Sequence, residues 1–436
     1  MIDVMIDVVG RVAQVVGADA LLPEAERRRY AVDGLVPAAV VCPDSVEQVS
    51  QVLAFAGQNG LSVIPWGGGT SMGAGGIPKR ADNVLCTQRL ARILDYSPDD
   101  LTVTTQAGVT LGQIQTLLSG HGQMLTLDPP LQDKATVGGV LATNISGPLR
   151  YQFGMPRDLC LGTVVVYADG TVAKAGGRTV KNVAGFDMTR LHIGAYGTLG
   201  VIVEATFKVW PAAKSSVTVA GSFDSVAAAA AGAKSLRMAR IVPWSLALVP
   251  PSVLPQAPSG YTVAVRLAGP PSSVAPQAQR AIEALASAQA SAPAEVPDAE
   301  TSLWPLVRDW PAVTGGSDSV MLRIGVAPSH VADVMTGVGS IASRHGLSAT
   351  AMAYPGAATL YCSLSPAGNV AADAINGMIA LVKEWNGNTV VERCPASLKE
   401  KAPVWGAATA DELTRRVKTT FDPQSTLNPG RFVGGI

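Results

Sequence analysis

Neither sign of charge is in excess in this sequence: 33 Lys and Arg stand against 33 Asp and Glu. Nothing draws the chain toward nucleic acid or an anionic membrane surface. Charged residues fill only 15% of the 436 positions, against 47% hydrophobic, enough apolar material for more than one core. The five cysteines, Cys42, Cys86, Cys160, Cys362 and Cys394, are scattered without a Cys-x-x-Cys pair. That spacing excludes a disulfide framework and a thiolate zinc or iron–sulfur site, and suits small buried hydrophobes in a reducing compartment. No apolar run approaches the ~18 residues of a membrane span. The opening MIDVMIDVVG carries Asp3 and Asp7 and no basic stretch, so it does not read as a secretion signal. Its repeat leaves Met1 and Met5 as alternative starts. The expectation is a cytoplasmic protein with no metal site and no membrane span of its own.

What is present has α/β texture. A helical stretch is expected over 8–18 and a strand at Val40 and Val41, ending at Pro43. Ser45 and Gln48 then form a capping-box pattern ahead of Val46, Val49, Leu53 and Ala56, with Asn59-Gly60 as the stop. LSVIP (61–65) reads as a short buried strand, 101–108 as an alternating strand, and Thr110 with Gln113 as a second capping box opening a helix to about Leu118. Asp169-Gly170 predicts a hairpin over 164–177, and 201–211 a long strand ended by Pro211. Beyond residue 212 strands and helices alternate to about 390, interrupted by an Ala/Ser/Pro-rich stretch (284–298) expected to be an exposed, mobile loop. The last helix should stop at Asp422-Pro423. The expected segments are 1–35 (helical), 36–211, 212–390 and a C-terminal piece, 391–436.

Three small-residue segments fall inside 36–211. The first, VIPWGGGTSMGAGG (63–76), holds Gly67, Gly68 and Gly69 followed by Thr70 and Ser71. No Lys follows, so it is not a Walker A loop; Met72 stands where a dinucleotide fingerprint needs its last Gly. Consecutive glycines nevertheless let backbone N–H groups turn one way and form an anion nest, to which the two hydroxyls add donors. The second, ATVGGVLATNISGPLRYQFG (135–154), holds Thr136, Gly138, Gly139, Ala142 and Asn144. The third, GAYGTLGVIVEATFKV (194–209), spaces Gly194, Gly197 and Gly200 by three ahead of a strand. Together they suit one extended ligand lying on bare backbone.

With GGRTVKNVAGFDMTRL (176–191), ERCPASLKEKAPVWG (392–406) and FDPQSTLNPGRF (421–432), these segments resemble the vanillyl-alcohol oxidase / p-cresol methylhydroxylase (PCMH-type) FAD-binding superfamily, and more narrowly the FAD-binding E-type subunit of glycolate oxidase. The resemblance covers 36–211 and 390–436. It implies an α+β fold: a PCMH-type FAD domain of two subdomains, a second α+β cap domain, and a C-terminal segment returning to the flavin. It implies non-covalent FAD, because Thr70 stands where some relatives carry a tethering His. The pyrophosphate would lie on Gly67, Gly68, Gly69, Thr70 and Ser71. The ribityl chain and ring would meet Pro129, Thr136, Gly138, Gly139, Ala142 and Asn144. Gly194, Gly197, Gly200 and Ile202 would run along the cofactor, with Asn428 arriving from the tail. Arg393 and Arg431 are candidates for a substrate carboxylate, and Lys181 for an approach to the flavin.

Two departures narrow the activity that the resemblance implies. The catalytic 2-hydroxy-acid dehydrogenases carry an HxGDGNxH-like motif in the cap, whereas this chain has only His121, His192, His330 and His345, none with such neighbours. The SEG of many relatives is altered to Ala195-Tyr196-Gly197. The catalytic base is therefore unassigned. The resemblance then implies a FAD subunit of a multi-subunit 2-hydroxy-acid dehydrogenase, acting on a small hydroxy acid beside a second FAD-containing catalytic subunit and an iron–sulfur subunit. Any membrane association would come through those partners. A stand-alone FAD oxidoreductase on another small substrate, or a non-catalytic assembly subunit, are the alternatives.

Overall fold

A computed structural model describes residues 2–178, 185–254, 260–316 and 318–436. The chain forms two units: 1–145 with 155–211 and 408–436, and 146–154 with 212–407. The second takes in more of the C-terminal stretch than sequence texture suggested. The reason is the strand Asn388–Arg393, which pairs antiparallel with Val320–Gly325 of that unit.

The described residues of the first unit form a three-stranded sheet, a five-stranded sheet and a short antiparallel pair, Gln123–Met124 with Trp210–Pro211. In the three-stranded one, Ala39–Val41, Asn83–Cys86 and Val63–Trp66 run parallel in that order, with the helix Val46–Gln58 joining the first strand to Val63–Trp66 and the glycine loop leading on to Asn83–Cys86. The helix Val46–Gln58 starts where expected: Ser45 Oγ accepts from Gln48 N at 3.3 Å, and the Gln48 side chain accepts from Asp44 N. It buries Val49, Val52, Leu53 and Ala56 against Val63 and Leu85. The other sheet is five-stranded and antiparallel: Ile93–Ser97, Thr102–Gln106, Val201–Lys208, Cys160–Val166, Val172–Gly176. The expected hairpin turns at Asp169-Gly170, with Gly170 at φ 88°. The helix Leu111–Ser119 carries the full Thr110–Gln113 capping box and buries Leu111, Ile114 and Leu118 beneath Val103, Ala205 and Phe207.

The second unit is one eight-stranded sheet with helices on both faces. Period-two alternation sorts the side chains. Leu246, Leu248, Val263, Val265, Leu322 and Ile324 face the helices Val226–Met238, Pro271–Ser287, Val331–Arg344 and Val370–Glu384. Ala247, Val249, Ala264 and Met321 face Trp304–Val313 on the other side. The stretch 284–298 is not a loop. Its first residues finish the helix Pro271–Ser287, and Ser291–Glu295 forms an edge strand on Ser215–Phe223. Alanine is a strong helix former, and Leu285 anchors the last turn at 0% exposure, which outweighs low-complexity composition.

Candidate functional site

The strand Val63–Trp66 runs directly into the glycine loop, which forms one wall of a cleft in the first unit. Pro65, Trp66, Gly67 to Met72 and Thr87 line this side. Gly138, Gly139, Ala142 and Thr143 of the short helix Val137–Thr143 line a second wall. Tyr196, Gly197 and Gly200 to Ile202 form a third, and Asn428 and Arg431 close it from the C-terminal tail. Backbone bonds tie the second wall to the third: Gly194 N donates to Leu141 O and Tyr196 N to Ala142 O, both at 2.9 Å.

Pro129, Thr136, Asn144 and Gly194 lie outside the wall. Pro129 is buried in the segment leading to it. Thr136 sits behind the loop, its Oγ1 accepting from Gly68 N at 3.3 Å. Asn144, at φ 52°, ends the short helix and turns its amide toward Met155 and Arg157. Gly194, at φ 84°, lies beside Asn144. Arg393 belongs to the second unit, where its guanidinium donates to the carbonyls of Ala312 and Thr314. Arg431 borders the cleft but spends Nη2 on Met72 O and Ala74 O; burial depresses its pKa, while Asp33 opposes the shift. Lys181, within 179–184, lies outside the described residues.

The glycines differ in what they make room for. A Cβ on Gly67 would meet Thr136 Oγ1 at 2.2 Å, and one on Gly68 would meet Lys134 O at 1.7 Å. These two are small because the protein's own chain passes behind them. Gly69, at φ 73°, supplies a left-handed turn over the Trp66 ring, which itself packs on Tyr30 with centroids 5.0 Å apart. Gly139 is different: only Thr136 Oγ1, at 3.4 Å, lies near its missing Cβ, so its bareness opens onto the cleft.

Unpaired polar groups converge on this space. Among the described residues, no protein acceptor takes the N–H of Gly69, Thr70 or Ser71, nor pairs with the two hydroxyls. Asn428 is 4% exposed; its Nδ2 donates to Tyr196 O at 2.6 Å, leaving Oδ1 a buried acceptor without a partner. A buried polar group left unmade is destabilising by about 1–3 kcal/mol, so a ligand with acceptors at the loop and a donor at the tail is favoured here. FAD matches: its diphosphate suits the backbone donors, its hydroxyls and ring N–H suit Asn428, and its flat ring suits the glycine walls.

The tail is held by groups that sequence inspection passed over. Lys418, 5% exposed, donates from Nζ to Asp422 Oδ2 at 2.6 Å, Thr198 O at 2.8 Å and Leu427 O at 3.0 Å. Asp422, 1% exposed, accepts from Thr426 N and Leu427 N. Burial lowers the lysine's pKa, and the aspartate opposes this. The i,i+4 spacing was visible beforehand, but it reads equally well as a solvated helix pair.

The four histidines are engaged in packing. His192 is 3% exposed beside Tyr167 and Phe421, and burial pushes its pKa down to about 4. His330 stacks on Trp385 at 4.2 Å, His121 lies edge-on to Tyr96, and His345 caps a helix end. No disulfide joins cysteines among the described residues, and Cys42, Cys86 and Cys362 are buried. No described helix is long and apolar enough to cross a membrane.

Residues 37–176 match the family model described as FAD binding domain. The chain is 32% identical over 212 residues to glycolate oxidase subunit GlcD of Bacillus subtilis, covering 48% of this chain and 45% of that protein. It is 40% identical over 128 residues to glycolate oxidase subunit GlcE of Escherichia coli, covering 29% and 37%. The matches thus span less than half the length of these curated relatives. The fold matches that of p-cresol methylhydroxylase with a TM-score of 0.80 at 16% identity, over 99% of this chain and 96% of that one. The FAD binding domain matched over 37–176 and the glycolate oxidase subunits among the relatives support FAD as the cofactor, and the fold is the one shared with p-cresol methylhydroxylase.

Proposed function

We propose that this chain is a FAD-dependent oxidoreductase component of the 2-hydroxy-acid dehydrogenase type, working within a glycolate-type complex and passing electrons to an iron–sulfur partner. The observation that carries the reading is the cleft, lined both by the unpaired N–H donors of Gly69 to Ser71 and by Asn428, whose Oδ1 is an unpaired acceptor. The glycolate oxidase subunits among the relatives support the substrate class and the multi-subunit setting.

Bound FAD supplies the two-electron acceptor. The chain's own residues hold it without a covalent link. Backbone N–H and the Thr70 and Ser71 hydroxyls bind the diphosphate; Gly139 lets the cofactor approach the helix closely, while Gly138 seats that helix against Ala107; Asn428 orients the cofactor from the tail. Oxidising a hydroxy acid also needs a base for the hydroxyl proton. His192 is a poor choice: it is buried, neutral and turned to Tyr167. This favours a division of labour in which a second FAD-containing subunit holds the base. Arg393 and Arg431 are retained only as carboxylate-binding proposals, since both are already engaged with carbonyls.

A second reading is a stand-alone oxidoreductase. The test is the visible spectrum of the purified protein, recorded anaerobically before and after glycolate or lactate, then with partner subunits. A flavin band that stays oxidised until the partners are added supports the component reading. Full bleaching by the isolated chain supports the stand-alone one, and a folded protein that takes up no FAD leaves an assembly role.

A further inference from the structure

The C-terminal tail is built into the cleft at both ends of the glycine loop, and one buried ion pair holds it there. Thr426 O accepts from Val63 N at 2.7 Å, and Asn428 N donates to Val63 O at 2.9 Å, so the tail lies beside the strand entering the loop. Past it, Arg431 O accepts from Gly76 N and Pro429 O from Lys79 N, each at 2.9 Å. The missing Cβ atoms of Gly75 and Gly76 would fall 2.6 Å from Arg431 O and 2.5 Å from Gly430 O, so that approach is close throughout. Lys418 and Asp422 organise this stretch: the lysine reaches both the tail (Leu427 O) and the third wall (Thr198 O), and the aspartate fixes the turn through Thr426 N and Leu427 N.

We propose that Lys418 and Asp422 are a positioning pair for the cofactor, pinning residues 426–431 across the cleft so that Asn428 meets the bound FAD and the FAD is retained. This rests on FAD occupying the cleft. A buried ion pair is seldom a net gain in stability over well-packed apolar residues, so its use here is geometric. It ties the stretch 418–427 to Thr198, 220 residues earlier, a register that apolar packing alone would not hold. Neither residue touches the cleft: they act through Asn428 and the loop.

The experiment uses the full-length protein, stripped of flavin and titrated with FAD by fluorescence, with amide exchange followed over 426–431. Lys418→Met should weaken FAD binding at least tenfold and speed exchange in the tail, leaving exchange in Thr102–Gln106 and Val201–Lys208 unchanged. The double variant Lys418→Met with Asp422→Asn removes the stranded charge but keeps an acceptor for Thr426 N and Leu427 N, and should recover part of the thermal stability while FAD binding stays weak. Recovery of both would overturn the proposal, because the pair would then serve stability alone. Wild-type FAD affinity in Lys418→Met would also overturn it. If the variants do not fold, wild-type protein still decides: added FAD must slow exchange across 426–431, and unchanged exchange there overturns the proposal. Failure of the cofactor reading is distinguishable, since the wild-type titration itself would then be flat.

Discussion

Two glycines that look alike in the sequence should respond oppositely to alanine. Gly68 backs onto Lys134 O, where a Cβ would sit 1.7 Å away; that oxygen is backbone, and no rotamer change relieves the clash. Either the loop or the 134–136 segment must shift. Overpacking of this kind is destabilising by roughly 1–3 kcal/mol, and the melting temperature of a unit this size falls by roughly 2–4 °C per kcal/mol. Gly139 lies within the helix Val137–Thr143, with nothing closer to its missing Cβ than Thr136 Oγ1 at 3.4 Å. Alanine there gains helix propensity of roughly 0.5–1 kcal/mol. The new methyl, however, enters the space left for FAD. Gly139→Ala should therefore leave the melting temperature of the flavin-free protein unchanged or higher while weakening FAD binding at least tenfold. Gly68→Ala should lower that melting temperature outright. Thermal melts of flavin-free protein and FAD titrations followed by fluorescence separate the two. Gly139→Ala with wild-type affinity for FAD, or Gly68→Ala melting like wild type, would refute the division into packing and cofactor glycines.

Three further outcomes follow from the same geometry. His192 is held neutral in the folded state with a pKa of about 4, while in the unfolded chain it takes up a proton from about pH 6.5 downward. Its contribution is thus fully present above pH 6.5 and falls by up to ~3 kcal/mol as the pH drops toward 4; urea melts of His192→Phe should show less of that acid-side loss. Ser45→Ala removes the acceptor for Gln48 N and should reduce urea stability by about 1 kcal/mol without changing FAD affinity. Asn428→Ala removes both the Tyr196 bond and the unpaired acceptor at a φ of 50°, and should weaken FAD binding severalfold, measured by dissociation on dilution.

Much of the site was legible because its pieces are local. Glycines at 67–69, 138–139 and 197–200 announce close approach of backbone, and strand-then-glycine order places that backbone at a strand end. The hairpin at Asp169-Gly170 and both capping boxes need only short-range chemistry. What stayed hidden depends on contacts across the chain. Nothing near Gly67 in the sequence says that Thr136 lies behind it, nor near Lys418 that Thr198 waits for its ammonium. The stretch 284–298 misled for a different reason: its Ala/Ser/Pro composition suggests disorder, whereas its placement as a last helical turn and an edge strand is decided by Leu285 and by the neighbour Ser215–Phe223. Pro293 is tolerated because an edge strand has one unpaired side.

Arg431 offers the sharpest contrast between a motif and its setting. As a cation near a cofactor it suggests a fork for a substrate carboxylate. In the folded chain it is 2% exposed, with Nη2 on the carbonyls of Met72 and Ala74, so its charge lies against the far end of the loop rather than free toward a ligand. Removing it would strand two buried carbonyls. At about 1–3 kcal/mol for each group left unmade, Arg431→Met should reduce the stability of the flavin-free protein by several kcal/mol, roughly 2–6. Lys, with one ammonium in place of a planar fork, should recover only part of it. A substrate-binding arginine predicts the reverse pattern: unchanged stability without flavin, and a raised KM in the assembled enzyme. Urea melts of flavin-free Arg431→Met therefore choose between the two roles, and a variant as stable as wild type would return Arg431 to the substrate.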